Sequence, residues 1–270
     1  MFFVEVLKLI DQMNKIVYVF FFFSLCIHAI AQSQSNDTGE GVFYTIEEAK
    51  KEPLNVKVLI LEHQNFDKIP EAIAQFVNIE VLSLKGNSLS TVPPFFSSLI
   101  RLHDLNLSEN IFSIIPDELI KMPALKIINM YGNQLTEIPD HIAELKSLYR
   151  LNVSYNKITK LPVSLFGLKE LNTLNVSHNM ISVLPEEFCR LTTLHYLYLG
   201  HNKINQIHHC IATLAELSLV DLEYNDQLAI LPVHMESMKS LRLLNLKGTK
   251  VSRGDVERFK KALPHTMIDF

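Results

Sequence analysis

The chain has no tryptophan, only eight glycines and three cysteines in 270 residues, and a formal net charge of −4. The glycines do not gather into a phosphate-cradling loop, and no Gly-x-Ser-x-Gly elbow is present to raise a nucleophile. Weak acidity removes the attraction that nucleic acid or an anionic membrane would need, so neither is an expected partner. The one long apolar run, Ile16 to Ile30, is short for a bilayer span. His208, His209 and Cys210 are adjacent, but no second ligand pair follows at zinc spacing, so no metal and no cofactor is expected. Every other His and Asp falls on a repeat position or a surface turn, which leaves no candidate catalytic residue. The chain reads as a non-enzyme.

What is abundant is leucine at fixed spacing. LYRLNVSYN at Leu148–Asn156 recurs 23 residues later as LNTLNVSHN at Leu171–Asn179 and again as LHYLYLGHN at Leu194–Asn202. Upstream stand IEVLSLKGN at Ile79–Asn87, LHDLNLSEN at Leu102–Asn110 and LKIINMYGN at Leu125–Asn133. Self-similarity at one period decides the fold before any local propensity does. Within each unit, apolar residues at positions 4 and 6 alternate with a period of two, the mark of a short strand with one buried face. Position 9 is Asn in seven units, from Asn87 through Asn225. A buried amide there donates and accepts, tying main-chain groups of neighbouring units. Losing one is expected to cost on the order of 1–3 kcal/mol. The return half carries Pro70, Pro93, Pro116, Pro139, Pro162, Pro185 and Pro232, each of which fixes φ and starts a short turn. With about ten residues available, 3₁₀ or single α turns are predicted rather than long helices.

The motif L-x-x-L-x-L-x-x-N-x-L, followed by I/L-P and a second apolar group, resembles the leucine-rich repeat of the 23-residue class, which includes secreted bacterial proteins. The resemblance runs from about Val56 to Val251. It implies an α/β solenoid: a curved horseshoe with a parallel β-sheet on the concave face and short 3₁₀ or α turns on the convex face. It also implies a module that binds protein or peptide, or a glycan, on the concave face. Each unit touches only its neighbours, so the nine units 56–251 stand together or not at all.

The ends depart from the pattern. Residues 1–31 read as a secretory signal peptide, with Met13-Asn-Lys15 as a basic start, an apolar stretch holding Phe20–Phe23, and Ala29-Ile-Ala31 as the cleavage site. Glu5 and Asp11 suit such a leader poorly, so Met13 is the alternative start. Export to the periplasm, the cell surface or the medium is therefore expected, with no stable membrane span after cleavage. Residues 32–44 read as a polar linker and 45–55 as an N-terminal cap, opened by the capping box Thr45-Ile-Glu-Glu48. Residues 252–270 read as a C-terminal cap helix and edge strand. Cys189 and Cys210 would be the only cysteines after export; a disulfide and two small half-buried side chains are both open readings.

On the sheet, positions 3, 5, 7 and 8 are expected to face away from the core. Position 5 is Asn106, Asn129, Asn152, Asn175 and Asn245, read as a row of exposed amides. Position 8 carries Tyr155, His178, His201 and Tyr224 in consecutive units. Nothing in the core demands aromatics there, and exposed aromatics with polar tips are what contact surfaces favour. Tyr131, Arg150, Tyr155, His178, Tyr196, Tyr198, His201 and Tyr224 form the candidate partner-binding patch of an expected monomer. The plain alternative is that tyrosine merely suits strand faces. The competing functional reading is a scaffold bound through the convex face or through the basic end at Arg242, Lys247 and Lys250.

Overall fold

Repetition of a three-residue strand every 23 residues, joined by an outer turn too short to reverse the chain, leaves only a parallel stack. The computed structural model describes residues 41–270, and the readings that fall on residues 1–40, the signal peptide above all, lie outside it. One sheet of eleven strands runs in strict chain order. Short β1 (Val42–Phe43) heads it, inside the stretch read as linker. Nine repeat strands follow: β2 (Val58–Ile60), β3 (Val81–Ser83), β4 (Asp104–Asn106), β5 (Ile127–Asn129), β6 (Arg150–Asn152), β7 (Thr173–Asn175), β8 (Tyr196–Tyr198), β9 (Leu219–Asp221) and β10 (Leu243–Asn245). β11 (Met267–Asp269) closes it. Pairing is parallel from β2 to β11, and the register places equivalent positions side by side, as in Arg150↔Thr173 and Leu151↔Leu174.

The outer half of most units is one 3₁₀ turn, such as Asp140–Glu144 or Glu186–Arg190, begun on a proline. Ile142 N–H donates to Pro139 O at 3.0 Å, the i→i+3 bond that so tight a return permits. One unit makes a single α turn instead, α2 (Asp117–Ile120). The short helix α1 (Ile46–Ala49) is capped by Thr45, whose hydroxyl accepts from Glu48 N–H at 3.2 Å. At the other end Ser252 caps α3 (Arg253–Ala262), whose Val256 and Phe259 cover the last leucines.

Between sheet and turns lies one continuous apolar column. Leu148, Leu151, Val153, Ile158, Leu165 and Leu168 of a single unit are fully buried, and the same positions repeat on either side. At roughly 1.5–3 kcal/mol per buried side chain, the column is the main source of stability. The position-9 asparagines run beside it as a hydrogen-bonded spine. Asn179 Oδ1 accepts from Ile158 N–H of the preceding unit at 2.9 Å. Its Nδ2 donates to Val153 O across the step at 3.0 Å, and to Val176 O and Ser177 O of its own unit at 3.0 and 3.1 Å. Asn110, Asn133, Asn156, Asn202 and Asn225 repeat the pattern. Backbone that could find no strand partner at the bend is thus satisfied from the side.

The irregularities also have local causes. Where proline would start the turn, His208 accepts Cys210 N–H on its own Nδ1 at 3.3 Å, which caps the turn without proline. The unit from Leu217 holds 24 residues because Asp226 and Gln227 stand where one residue suffices elsewhere, and Leu228 still enters the core. Cys189 and Cys210 form a disulfide between successive outer turns, with Cα atoms 5.9 Å apart. Among the described residues no helix is long and apolar enough to cross a membrane.

Candidate functional site

Position 8 is the first residue after each strand and its exit turn, and the chain there takes left-handed backbone in all nine units. His63, Glu109, Tyr155, His178, His201 and Tyr224 have φ between 50° and 55°, and Gly86, Gly132 and Gly248 have φ of 66–70°. Glycine adopts this conformation freely, whereas other residues pay roughly 1 kcal/mol. Two of the three glycines share a second reason, while at Gly132 a Cβ would meet Glu109 Cγ only at 3.5 Å. Each position-8 side chain leans over the next unit: the His63 ring lies where a Cβ on Gly86 would go, and Tyr224 Cδ1 would stand 2.7 Å from a Cβ on Gly248. Glycine ends a stack; a ring continues it.

From Tyr155 the stack continues for four rings. Tyr155 and His178 stack with centroids 3.7 Å apart, His178 and His201 at 3.9 Å, and His201 and Tyr224 at 4.4 Å. Tyr131, at position 7, meets Tyr155 edge-on at 5.0 Å. Five of the eight candidate residues therefore form one ladder along the rim of the sheet. Because the rings cover each other's faces, the ladder offers their edges, the phenol hydroxyls and imidazole nitrogens, to solvent. Tyr155 and Tyr224 are exposed. Burial holds the His178 imidazole below its usual range, with His201 pushing the same way and Glu223 pulling back.

The other three candidates lie on the sheet beside the ladder, and they differ. Arg150 and Tyr196, at position 3, are half-buried. The Arg150 guanidinium sits 5.6 Å from the Tyr149 ring centroid, its Nε is buried with no hydrogen-bond partner, and no described carboxylate forms a salt bridge with it. Its charge partly offsets the burial that lifts Asp104 to about 6. Tyr198 is a correction: only 3% exposed, it is packed into the sheet surface between Asn175 and Asp221 and offers no free face.

The row of exposed amides is a second correction. Asn106, Asn129, Asn152 and Asn175 are 3–7% exposed. Adjacent strands leave no room for water between these short side chains. Each amide oxygen is used locally, accepting the N–H two residues on, as Asn152 does from Ser154 at 3.0 Å. In three units the serine hydroxyl donates to the same oxygen at 2.6 or 2.7 Å.

Sequence reasoning missed a carboxylate group beside the ladder. At positions 5 and 7 the unit from Leu217 carries Asp221 and Glu223, where three earlier units carry Asn and Ser. Gly200 in the preceding unit makes the space: a Cβ there would stand 2.8 Å from Glu223 Cγ and 3.1 Å from Asp221 Oδ2. Asp221 Oδ1 accepts Glu223 N–H at 3.1 Å, and among the described residues Asp221 has no cationic partner. Burial first, then the charge of Glu223, lifts its carboxyl to about 7. Glu223 Oε1 lies 3.5 Å from His201 Nε2, joining this group to the ladder. The signal was available in the substitution of Asp for Asn at a repeat-fixed position. At the basic end Arg242, Lys247 and Lys250 are all exposed; Arg242 Nη1 donates to Lys239 O at 2.7 Å, and Lys250 reaches Gln227.

The geometry has the form of a leucine-rich repeat solenoid, and models of that repeat match residues 146–204 and 78–99. The chain is a leucine-rich repeat protein. It is similar to a leucine-rich repeat protein of Leptospira interrogans, with 38% identity and a TM-score of 0.77 over 80% of this chain and 55% of that one. An internalin of Listeria monocytogenes shares the fold at 22% identity and a TM-score of 0.68, over 80% of this chain and 61% of that one. A plant peptide hormone receptor, RGFR1, solved in complex with RGF2, matches at 25% identity and a TM-score of 0.59, over 73% of this chain and 36% of that one. The chain thus spans little more than half the length of the first two. A search of curated proteins returned no match.

Proposed function

We propose that the protein is an exported, non-catalytic binding module that takes an extended peptide segment of a partner protein along the rim ladder and the sheet beside it. One observation carries the reading. Four consecutive units place Tyr, His, His and Tyr in left-handed backbone where glycine would serve the fold without strain, and the rings line up in contact. Strain of that kind is retained where a surface is used. The ring edges supply donors and acceptors at each step of the solenoid, which suits the polar main chain of an extended peptide. Leucine-rich repeat solenoids commonly mediate protein binding, and one structural neighbour is a peptide hormone receptor. Export is supported by the apolar leader with its Ala-x-Ala site and by the Cys189–Cys210 disulfide, which belongs in an oxidising compartment.

The probe that tests this is a phage-displayed random peptide library panned on the immobilised chain. Peptides enriched on the wild type are expected to lose at least tenfold in affinity with Tyr155→Ala and with Tyr224→Ala, a loss of about 1.4 kcal/mol each. Peptides that bind both variants as tightly as the wild type would defeat the ladder reading and favour the convex face or the basic end. A glycan array screened with the same three proteins decides the carbohydrate alternative.

A further inference from the structure

We propose that the facing imidazoles of His178 and His201 make the ladder acid-sensitive, so that protonation parts it at its middle. The inference concerns regulation of the candidate surface and rests on that surface being the binding site; the parting itself does not.

The two rings lie 3.9 Å apart and 14° from parallel, with Tyr155 on the far face of His178 and Tyr224 on the far face of His201. Neutral, they are two ordinary links of an aromatic stack. A single positive charge is well received. Glu223 Oε1 stands 3.5 Å from His201 Nε2, and the flanking phenol rings present π-faces that favour a cation. A second proton has no such reception, because it would set two like charges face to face at stacking distance with no further carboxylate between them. The charged and titratable groups around the pair are Tyr131 and Tyr155 on one side, and Glu223, Tyr224 and Asp221 on the other. Asp221 lies behind Glu223, has no salt-bridge partner among the described residues and contributes no positive charge. Burial and the neighbouring His201 both hold His178 toward its neutral form.

The His178 side chain has an outlet for this repulsion. It projects from an exit turn at φ 52°, on the open rim rather than in the core, and is only half-buried. Rotation of its ring toward water relieves the repulsion and separates Tyr131 and Tyr155 from His201 and Tyr224. The spine and the leucine column do not move, since Asn179 beside it is held by four hydrogen bonds of its own. Acidification would thus split the surface without unfolding the solenoid.

The test is a histidine-ring NMR titration of the full chain from pH 8 to pH 4, using the imidazole Cε1–H signals. His178 and His201 are expected to titrate as a pair in two steps separated by about one pH unit or more. The Tyr155 ring signals should lose their ring-current shift at the second step. His178→Phe keeps the stacked ring and removes one charge, so His201 should then titrate in one step and Tyr155 should stay in place. Asp221→Asn removes the nearby carboxyl that titrates in the same range, and should leave both steps intact. Independent single-site curves for the two histidines, or a Tyr155 signal indifferent to the second step, would overturn the proposal. No partner enters this measurement, so a ladder that parts on cue but binds no peptide would defeat only the binding reading.

Discussion

The units that begin at Leu148 and Leu171 and those that begin at Leu194 and Leu217 share a backbone, a leucine column and an asparagine spine, yet their sheet faces are built differently. In the first pair, position 5 is Asn and position 7 is Ser, and hydroxyl and amide close on each other at 2.6–2.7 Å. In the second pair, the same positions hold Tyr198 and Gly200, then Asp221 and Glu223, and the closed clasp is replaced by a buried phenol and an unneutralised carboxyl. Because the fold is held constant by repetition, the first pair shows what the scaffold requires. The departures in the second pair are not scaffold requirements. They are where function is to be sought, and they adjoin the ladder that spans both pairs.

The largest expected effect tests whether the two regions rest on an equal spine. Asn179→Ala strands the buried Ile158 N–H, while the carbonyls of Val153, Val176 and Ser177 lose one donor each and keep Asn156 Nδ2, Asn202 Nδ2 and Tyr155 N–H. With one buried N–H stranded and three carbonyls each losing a donor, the loss should be about 3 kcal/mol in a urea melt. Asn225→Ala removes the same set from Ile204, Leu199, Leu222 and Glu223 and should lose as much. A markedly smaller loss at Asn225 would show that the departures reach the interior.

Next in size is the staple between the regions. The disulfide joins the outer turn of the Leu171 unit to that of the Leu194 unit, 21 residues on. Cys189→Ser with Cys210→Ser should cost about 3 kcal/mol through the freed loop of the unfolded chain. Unchanged stability, read in the same urea melt, would mean that stacking alone already fixes this step.

Asp221→Asn is expected to act in the opposite direction. A carboxyl lifted from 3.8 to about 7 binds its proton more tightly folded than unfolded. The folded chain therefore holds the extra proton between those values, and stability falls as pH rises through that window. Restoring the repeat's own Asn removes the burden. At pH 8 the variant should be more stable, by about 2 kcal/mol once relaxation of Glu223 toward water is allowed for. At pH 3, where wild-type Asp221 is protonated in both states, the gain should vanish. A variant no more stable at pH 8 would mean that the carboxylate is already satisfied and that the contrast between the two regions carries no strain.

These contrasts also mark what the sequence could and could not disclose. Parallel strands, proline-begun turns, the spine asparagines and the capping residue Thr45 were legible because each follows from spacing and from a side chain's own hydrogen-bonding capacity. The depth of position 5 was not. A period-two pattern says that Asn152 and Tyr198 point away from the leucines, but whether water reaches them depends on the neighbouring units, which lie one strand spacing away. The ladder was half legible: Tyr155, His178, His201 and Tyr224 could be aligned by number, and the glycines at 86, 132 and 248 already implied left-handed backbone at position 8. That the rings would stack face to face required seeing each side chain lean over the next unit. Glu223 was hidden because its role comes from Gly200, 23 residues earlier.

The smallest effect separates a surface kept for the fold from one kept for use. At His178 two terms oppose each other: glycine would relieve left-handed backbone worth roughly 1 kcal/mol, while removal of the ring forfeits stacking on Tyr155 and His201 worth roughly the same. His178→Gly should therefore change stability by less than about 1 kcal/mol. At Gly132, one unit before the four-ring stack, Gly132→Ala has no stacking to gain and sets a side chain into backbone of φ 66° beside Glu109, so it should cost about 1 kcal/mol. The pair of melts sets a ring and a glycine against each other at the same left-handed position of the repeat. If His178→Gly proves strongly destabilising, the ladder is structural and the aromatics answer to the scaffold. If it is neutral, the scaffold is indifferent to the rings, and four of them in contact on one rim call for a ligand.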